Sequence, residues 1–363
     1  MSIRAGTATV NDIHPNESAK APKLSICIAT FKRAKFIGET LNSILVQLPP
    51  GVEIVIVDGA SPDDTAEVVA RHAAGSPAVR YFREPVNSGV DADYDKAVAY
   101  ARGEYCWLMG DDDLLAPGAV ARVVASLSNS PDLVVVNAES RTPDQSRVLD
   151  ERLLAIAEDR DYALDERETF FARSAEMMSY IGSVVIRRSV WLSRKREPYY
   201  GSLFIHIGVI FQEPPLQRVR VIAEPLTRVR WANAMWTPRT FEIWNFKWPE
   251  LVWSFEGYSE RARAAVCARE PWRNLKMLGL YRAFGAYSID EYRRFLARRG
   301  SRPFRLIARM IAVLPVPVAS TLASIYCVLV ARTARKSMYD LAHASNATWM
   351  AKRAGRLLGV YEG

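Results

Sequence analysis

Cysteine is scarce and scattered: Cys27, Cys106, Cys267 and Cys327 lie far apart, form no CxxC pair and sit among apolar neighbours. That spacing argues against a disulfide framework or a cysteine zinc site and suits a reducing, cytoplasmic compartment. The first 22 residues lack the apolar core of a secretory signal; they are polar, contain Pro15 and Pro22, and read as a flexible tail. No GxGxxG and no GxxxxGKS/T stretch occurs, so the dinucleotide and P-loop readings lose their main support. Internal repeats and low-complexity blocks are missing as well. A hydrophobic content of 49% over 363 residues is enough for a large core and speaks against general disorder.

The net charge of +8 is unevenly spread. Residues 261–363 carry 19 Lys/Arg against 5 Asp/Glu, a balance of +14, which leaves −6 for residues 1–260. A basic block of this kind seeks phosphate, on nucleic acid or on an anionic membrane. Nucleic acid is disfavoured as a partner, because no zinc spacing, RNP-like aromatic motif or helix-turn-helix signature accompanies the charge.

From Lys23 onward, short β-branched or aromatic runs alternate with helical patterns. LSICIAT (24–30), VEIVIVD (52–58), VRYF (79–82), EYCWLM (104–109) and LVVVN (133–137) predict strands; 35–47, 63–74, 91–101 and 117–128 predict helices. The alternation implies an open α/β layer with a mostly parallel sheet, in which ligands collect at the carboxyl ends of the strands. Those ends carry Thr30, Phe31, Lys32 and Arg33, then Asp58 with Gly59, then Asn87, Ser88 and Gly89, then Asp111, Asp112 and Asp113. Three adjacent acids repel one another and make sense as a solvated turn or where a cation relieves the repulsion. Asp58 can accept a hydrogen bond from a base or ribose. Asp91 and Asp95, one helical turn apart, face either the ligand or solvent.

LSICIATFKRAKFIGETLNSIL, VEIVIVDGASPDDT and NSGVDADYDKAVAYARGEYCWLMGDDDLL together resemble the nucleotide-binding half of family 2 glycosyltransferases, which have the GT-A fold. The resemblance implies sugar transfer from a nucleotide diphosphate sugar with Mn²⁺ or Mg²⁺. It places Asp58 at the base, Thr30 and Phe31 in the base pocket, and the acids Asp111, Asp112 and Asp113 at its metal and ribose motif, with Asp111 and Asp113 expected at the metal and Asp113 also catalytic; the strand-end residues Arg33, Asn87 and Gly89, with Asp95 and Asp112, are the expected donor contacts. This sequence departs from the pattern at Gly110, where the family often has an acid, and at Tyr94 and Asp95, where it often has Arg-Asn. NSGVDADYDKA and GEYCWLM are also similar to bacterial O-antigen enzymes that transfer 3,6-dideoxyhexoses from a CDP donor.

The expected division is a tail (1–22), a nucleotide-sugar-binding half (23–140), an acceptor-binding half (141–255) and a basic helical C-terminal region (256–363). Within the acceptor half, 141–170 reads as helical and 181–191 as a strand. The resemblance implies a general base here in inverting members; His206, in an apolar setting that would keep it neutral, is the candidate, and Glu176 and Glu213 are the carboxylate alternatives. Arg228, Arg230, Trp231, Asn233 and Trp236 follow a strand and suit a lid over the donor, with Arg230 and Asn233 reaching it. Met310 to Ala331 is a 22-residue run without charge, but Pro315 and Pro317 divide it, and basic residues flank both ends. That pattern predicts a peripheral or monotopic contact with the cytoplasmic face of the bacterial inner membrane, beside a lipid-linked saccharide acceptor. The function expected is transfer in O-antigen-like surface polysaccharide synthesis; a catalytically inactive glycosyltransferase-like scaffold is the alternative, and metal-dependent nucleotide binding separates the two.

Overall fold

A computed structural model describes residues 21–233, 237–329, 335–344 and 346–361. The expected tail lies outside the described residues up to residue 20, as do Trp236 and Arg332. The elements run β1 (Leu24–Thr30), α1 (Ile37–Leu45), β2 (Val52–Asp58), α2 (Thr65–Ala73), β3 (Val79–Arg83), α3 (Val90–Tyr100), β4 (Tyr105–Met109), β5 (Leu114–Leu115), α4 (Ala119–Ser126) and β6 (Leu133–Arg141). Each of the five apolar runs between 24 and 137 expected to be a strand is one, whereas of 181–191 only Val184–Arg187 is a strand and Arg188–Leu192 is helical.

The segment 141–170 is a correction. After β6 the chain folds back as β7 (Val148–Asp150), antiparallel to it, and then forms β8 (Arg160–Ala163); helix begins only with a 3₁₀ turn (Leu164–Glu166) that leads into α5 (Arg167–Ser174). These are short edge strands with a solvated face, so their charge content imitates that of an exposed helix. Beyond them come β9 (Val184–Arg187), α6 (Arg188–Leu192), α7 (Ile205–Phe211) and the long β10 (Arg218–Arg230).

The sheet has ten strands, ordered β3-β2-β1-β4-β9-β6-β10-β5, with β7 paired to β6 and β8 to β10. β3, β2, β1 and β4 are parallel; β9 is antiparallel between β4 and β6; β10 runs parallel to β6. The boundary expected at 140/141 therefore falls inside β6, and the two halves share one sheet. Both faces are covered, which is why the central strands are continuously apolar. Leu24, Ile26 and Ile28 of β1 pack with Ile37, Leu41 and Ile44 of α1 and with Val120 and Val123 of α4. Cys27 and Ala29, on the other face, join Ala97 and Val98 of α3 and the apolar residues of α5 and α7. The four cysteines are free.

Beyond β10 the chain is helical: α8 (Thr240–Glu242), continuing through a π-helical turn (Ile243–Lys247) into α9 (Trp248–Trp253), α10 (Glu260–Val266), α11 (Leu275–Phe284), α12 (Ile289–Glu291), α13 (Arg302–Val313), α14 (Val316–Leu329), α15 (Arg335–His343) and α16 (Trp349–Leu357). α9 and α10 join the main core through Trp248, Leu251, Val252, Ala262 and Val266, while two smaller clusters hold the rest, one around Phe241, Trp272, Leu278 and Tyr287, the other around Met338, Tyr339 and Leu341. Pro315 and Pro317 stand where α13 gives way to α14, and the two helices meet at 102°. No single helix among the described residues is long and apolar enough to cross a membrane.

Candidate functional site

The site lies at the carboxyl ends of β1, β2 and β4, where backbone hydrogen bonds stitch the loops together. The Lys32 N–H donates to Ser61 Oγ (3.0 Å) and the Arg33 N–H to Thr65 Oγ1 (3.0 Å), which fixes the loop after β1 to the loop after β2. Lys32 takes a left-handed backbone, φ +58°. Gly59 is required by close approach: a Cβ there would meet Asp93 Oδ2 at 2.6 Å.

Asp111, Asp112 and Asp113 are drawn together with two arginines and an asparagine. Arg33 Nε lies 3.3 Å from Asp111 and its terminal nitrogen 3.3 Å from Asp112. Both terminal nitrogens of Arg33 also donate to the Asn233 carbonyl, at 3.2 and 3.3 Å, while Asn233 Nδ2 donates to Asp112 Oδ2 at 2.6 Å. Arg230, the last residue of β10, gives its backbone N–H to Asp113 Oδ1 (2.8 Å), its Nε to the Asp112 carbonyl (2.9 Å), and its remaining nitrogens to the Pro143 carbonyl and to Glu39 Oε2. Phe36 lies beneath both guanidinium groups. Arg230 and Asn233, expected to reach the donor from a lid, here meet the triple Asp; Arg228 and Arg230 are strand residues, and Arg228 pairs with Glu139.

Burial governs the electrostatics of the acids. It pushes the Asp111 carboxyl up to about 7, with the Asp112 charge adding to the effect and Arg33 opposing it. Burial likewise raises Asp112, and raises Asp113 well above the usual carboxylate range, where Asp112 adds to it and the Arg230 N–H opposes it. The buried Tyr180 hydroxyl lies beside Asp113. Gly110 has a steric reason: a Cβ there would meet Asp113 Oδ2 at 2.7 Å, so an acid at this position would displace the carboxylate folded over it. Among the described residues, no three His, Cys, Asp or Glu side chains converge into a ready-made metal cluster. Asp111 and Asp113 nevertheless fit a divalent cation in kind, as adjacent hard-oxygen donors whose ionised forms are penalised by burial and mutual repulsion.

The other expected residues divide. Thr30 is buried with its hydroxyl towards Asp111, and Phe31, which follows it, is half-buried with Lys32 over its ring. Asp58 is fully buried, its two oxygens taken by the Ser61 N–H (2.7 Å) and the Tyr81 hydroxyl (2.5 Å), so it shapes the β2 loop more directly than it presents a free carboxylate. Asn87 accepts from the Gly89 N–H (2.8 Å), and Gly89, at φ +89°, turns the chain into α3. Tyr94, at the family's arginine position, donates to the Met109 carbonyl at 2.9 Å. Asp91 accepts from the Leu203 and Ile205 N–H groups and so anchors the start of α7.

Two expected residues are engaged by the protein itself. Asp95 is held by the Trp191 indole N–H (2.8 Å), Arg196 (2.9 Å) and the Tyr200 hydroxyl (2.6 Å), so that both of its oxygens are engaged by side chains of the protein. His206 is 1% exposed and lies on α7; its Nε2 is 2.8 Å from the Met178 carbonyl, and burial lowers its pKa to about 4. It is neutral, as expected, but walled off from any acceptor hydroxyl. Glu176, by contrast, reaches solvent; partial burial raises its carboxyl pKa and Lys336 opposes the rise. Lys336 itself lies over the Trp231 ring, next to Arg230 and Asn233 in sequence. Glu213 sits apart, beside Arg167. Tyr81, Tyr180, Asp93 and Glu39 carry no local sequence signal; only strand register and helix placement bring them here.

Residues 25–192 match the model of glycosyl transferase family 2. The chain is 28% identical to abequosyltransferase RfbV of Salmonella typhimurium over 229 residues, 58% of this chain and 67% of that protein. It is 30% identical over 104 residues to GalNAc(5)-diNAcBac-PP-undecaprenol beta-1,3-glucosyltransferase of Campylobacter jejuni, a match that spans 28% of this chain and 34% of that one. Among solved structures it is similar to residues 1–349 of S. aureus TarS in complex with UDP, with a TM-score of 0.56 at 14% identity over 88% of both chains, a likeness of fold. Sequence, sheet order and strand-end acids agree: residues 25–192 of this chain are a glycosyl transferase family 2 domain, built on the GT-A fold.

Proposed function

We propose that this glycosyltransferase moves a sugar from a nucleotide diphosphate sugar, with a CDP-linked dideoxyhexose as the first donor to try, onto a lipid-linked saccharide in the synthesis of an O-antigen-like surface polysaccharide. The observation that carries the reading is the convergence of Asp111, Asp112 and Asp113 with Arg33, Arg230 and Asn233 at the carboxyl edge of a GT-A sheet. The names of two relatives, an abequosyltransferase and a transferase acting on an undecaprenol-linked saccharide, support the donor and acceptor classes.

Asp111 and Asp113 are the residues to hold Mn²⁺ or Mg²⁺. Such an ion, when bound, supplies charge neutralisation for the departing diphosphate. Arg33 offers the forked, permanently charged group that recognises phosphate oxygens, and Asn233 holds it in place from the chain following β10. Glu176 is the general base of this reading, because it is exposed and its raised pKa favours taking a proton from an acceptor hydroxyl.

The test is thermal shift with CDP-, UDP-, GDP- and dTDP-sugars, with and without Mn²⁺, on the wild type and on Asp113→Asn. One nucleotide should raise the melting temperature in a metal-dependent manner, and the variant should lose that increment. If no nucleotide gave a metal-dependent shift, the reading would fail and the inactive-scaffold alternative would stand.

A further inference from the structure

A helix on the surface of a globular protein buries its large apolar side chains and exposes polar ones. α13 and α14 do the reverse. α14 turns Ala319, Ser320, Ser324 and Cys327 inward, where it packs on α11, α15 and α16, and shows Val318, Leu322, Ile325 and Leu329 to solvent. These four recur at intervals of 4, 3 and 4 residues, one continuous stripe, with Leu329 67% exposed. α13 buries only Ala308 and Ala312 and exposes Leu306, Ile307, Met310 and Val313. Eight of the 16 exposed large apolar side chains among the described residues fall between 306 and 329, a concentration far from the scattered single exposures of an ordinary surface.

Charge identifies the occupant. Residues 292–339 contain ten Lys/Arg and not one Asp or Glu. A second copy docked face to face would set two such basic surfaces against each other, whereas an anionic bilayer complements both the charge and the apolar stripes. We infer that α13 and α14 form a wedge seated in the headgroup boundary of an anionic phospholipid bilayer, entering and leaving on the same side. At about 1.5 Å per residue, α13 and α14 are roughly 18 and 21 Å long, each short of the ~30 Å hydrocarbon core, and the 102° bend prevents them from adding end to end. Exposed Arg302 and Arg309 lie at the level of the headgroups, while Leu306, Met310, Leu322 and Ile325 enter the acyl boundary. Because α14 packs on α15, whose Asp340 accepts from the Trp231 indole, the wedge also sets the attitude of the candidate site to the membrane.

The experiment is flotation of the full chain, without nucleotide, with vesicles of phosphatidylglycerol and phosphatidylethanolamine or of phosphatidylcholine alone, at low and high salt. The wild type should float with the anionic vesicles and stay largely bound in high salt, because buried apolar area does not yield to screening. Leu322→Asp with Ile325→Asp should cut partitioning by roughly 100-fold, about tenfold for each side chain withdrawn, with an unchanged circular dichroism spectrum and melting temperature. Arg302→Glu with Arg309→Glu should weaken binding to anionic vesicles alone. The inference is overturned if the wild type floats with neither vesicle, if the Leu322/Ile325 variant floats like the wild type, or if that variant merely turns a stable dimer into a monomer. Sugar transfer is not read in this experiment, so its failure would leave the donor-site reading standing, and the converse also holds.

Discussion

Asp340 offers the sharpest test of how the C-terminal helices grip the candidate site. The Trp231 indole N–H donates to Asp340 Oδ1 at 2.8 Å, and Lys336, one turn earlier on α15, stacks over the same ring at 4.7 Å while pairing with Asp150 at 2.5 Å. Burial pushes the Asp340 carboxyl from 3.8 up to about 7, against the opposing pull of Trp231 and Lys336. An acid whose pKa is raised by folding binds more protons folded than unfolded. It therefore costs nothing below about pH 4, costs progressively more as pH climbs towards 7, and reaches a plateau above that. At 1.36 kcal/mol per unit the ceiling is about 4 kcal/mol, and residual solvent contact reduces the expected figure to about 2 kcal/mol. Asp340→Asn keeps an acceptor for Trp231 and removes the charge. For 363 residues, with an unfolding entropy of about 0.8 kcal/mol/K, that predicts a melting temperature about 2–3 °C above wild type at pH 8 and a much smaller gap at pH 5. Thermal unfolding followed by circular dichroism at the two pH values measures it. A variant that melts below wild type at pH 8, or a gap that ignores pH, would refute the argument.

Two further predictions concern the site. Glu176→Gln should lower kcat by roughly 10²- to 10⁴-fold and remove the acidic limb of the pH profile while donor binding persists; His206→Ala should instead cost about 2–4 kcal/mol of stability and leave that limb in place, and steady-state kinetics beside unfolding curves would show if the roles are reversed. Asp95→Ala should strand the Trp191, Arg196 and Tyr200 donors, cost about 1–3 kcal/mol of stability and change donor KM by less than about twofold. A tenfold rise in KM at an unchanged melting temperature would return Asp95 to the donor site.

Much of the first 140 residues was legible because the signals are local. A strand buried on both faces must be continuously apolar, and LSICIAT, VEIVIVD and EYCWLM are. The edge that bears the candidate site can be read from the same strands, since residues at the carboxyl end of a parallel strand lie where ligands bind. Asp111, Asp112, Asp113 and Arg33 follow from that rule and from family resemblance, and Arg230 and Asn233 from the Arg-rich, aromatic segment after a strand that suits a diphosphate clamp. The segment 141–170 reads as helix in sequence because edge strands with one wet face have the composition of a solvated helix.

By itself, then, the sequence determined the fold class, the strand ends that bear chemistry, the acidic cluster at the end of β4 and the proline break between α13 and α14, all of which follow from residue type and short-range spacing. Only the tertiary structure decided which acids are free and which are spoken for. Tyr81 reaches Asp58 from the neighbouring strand, Trp191 and Tyr200 close on Asp95 from about a hundred residues away, and α7 carries His206 into the core. It also decided which face of α14 looks outward. Periodicity shows that a helix has two faces, but which of them is buried depends on the neighbours that the rest of the chain brings against it, and here those neighbours cover the small residues and leave the leucines bare.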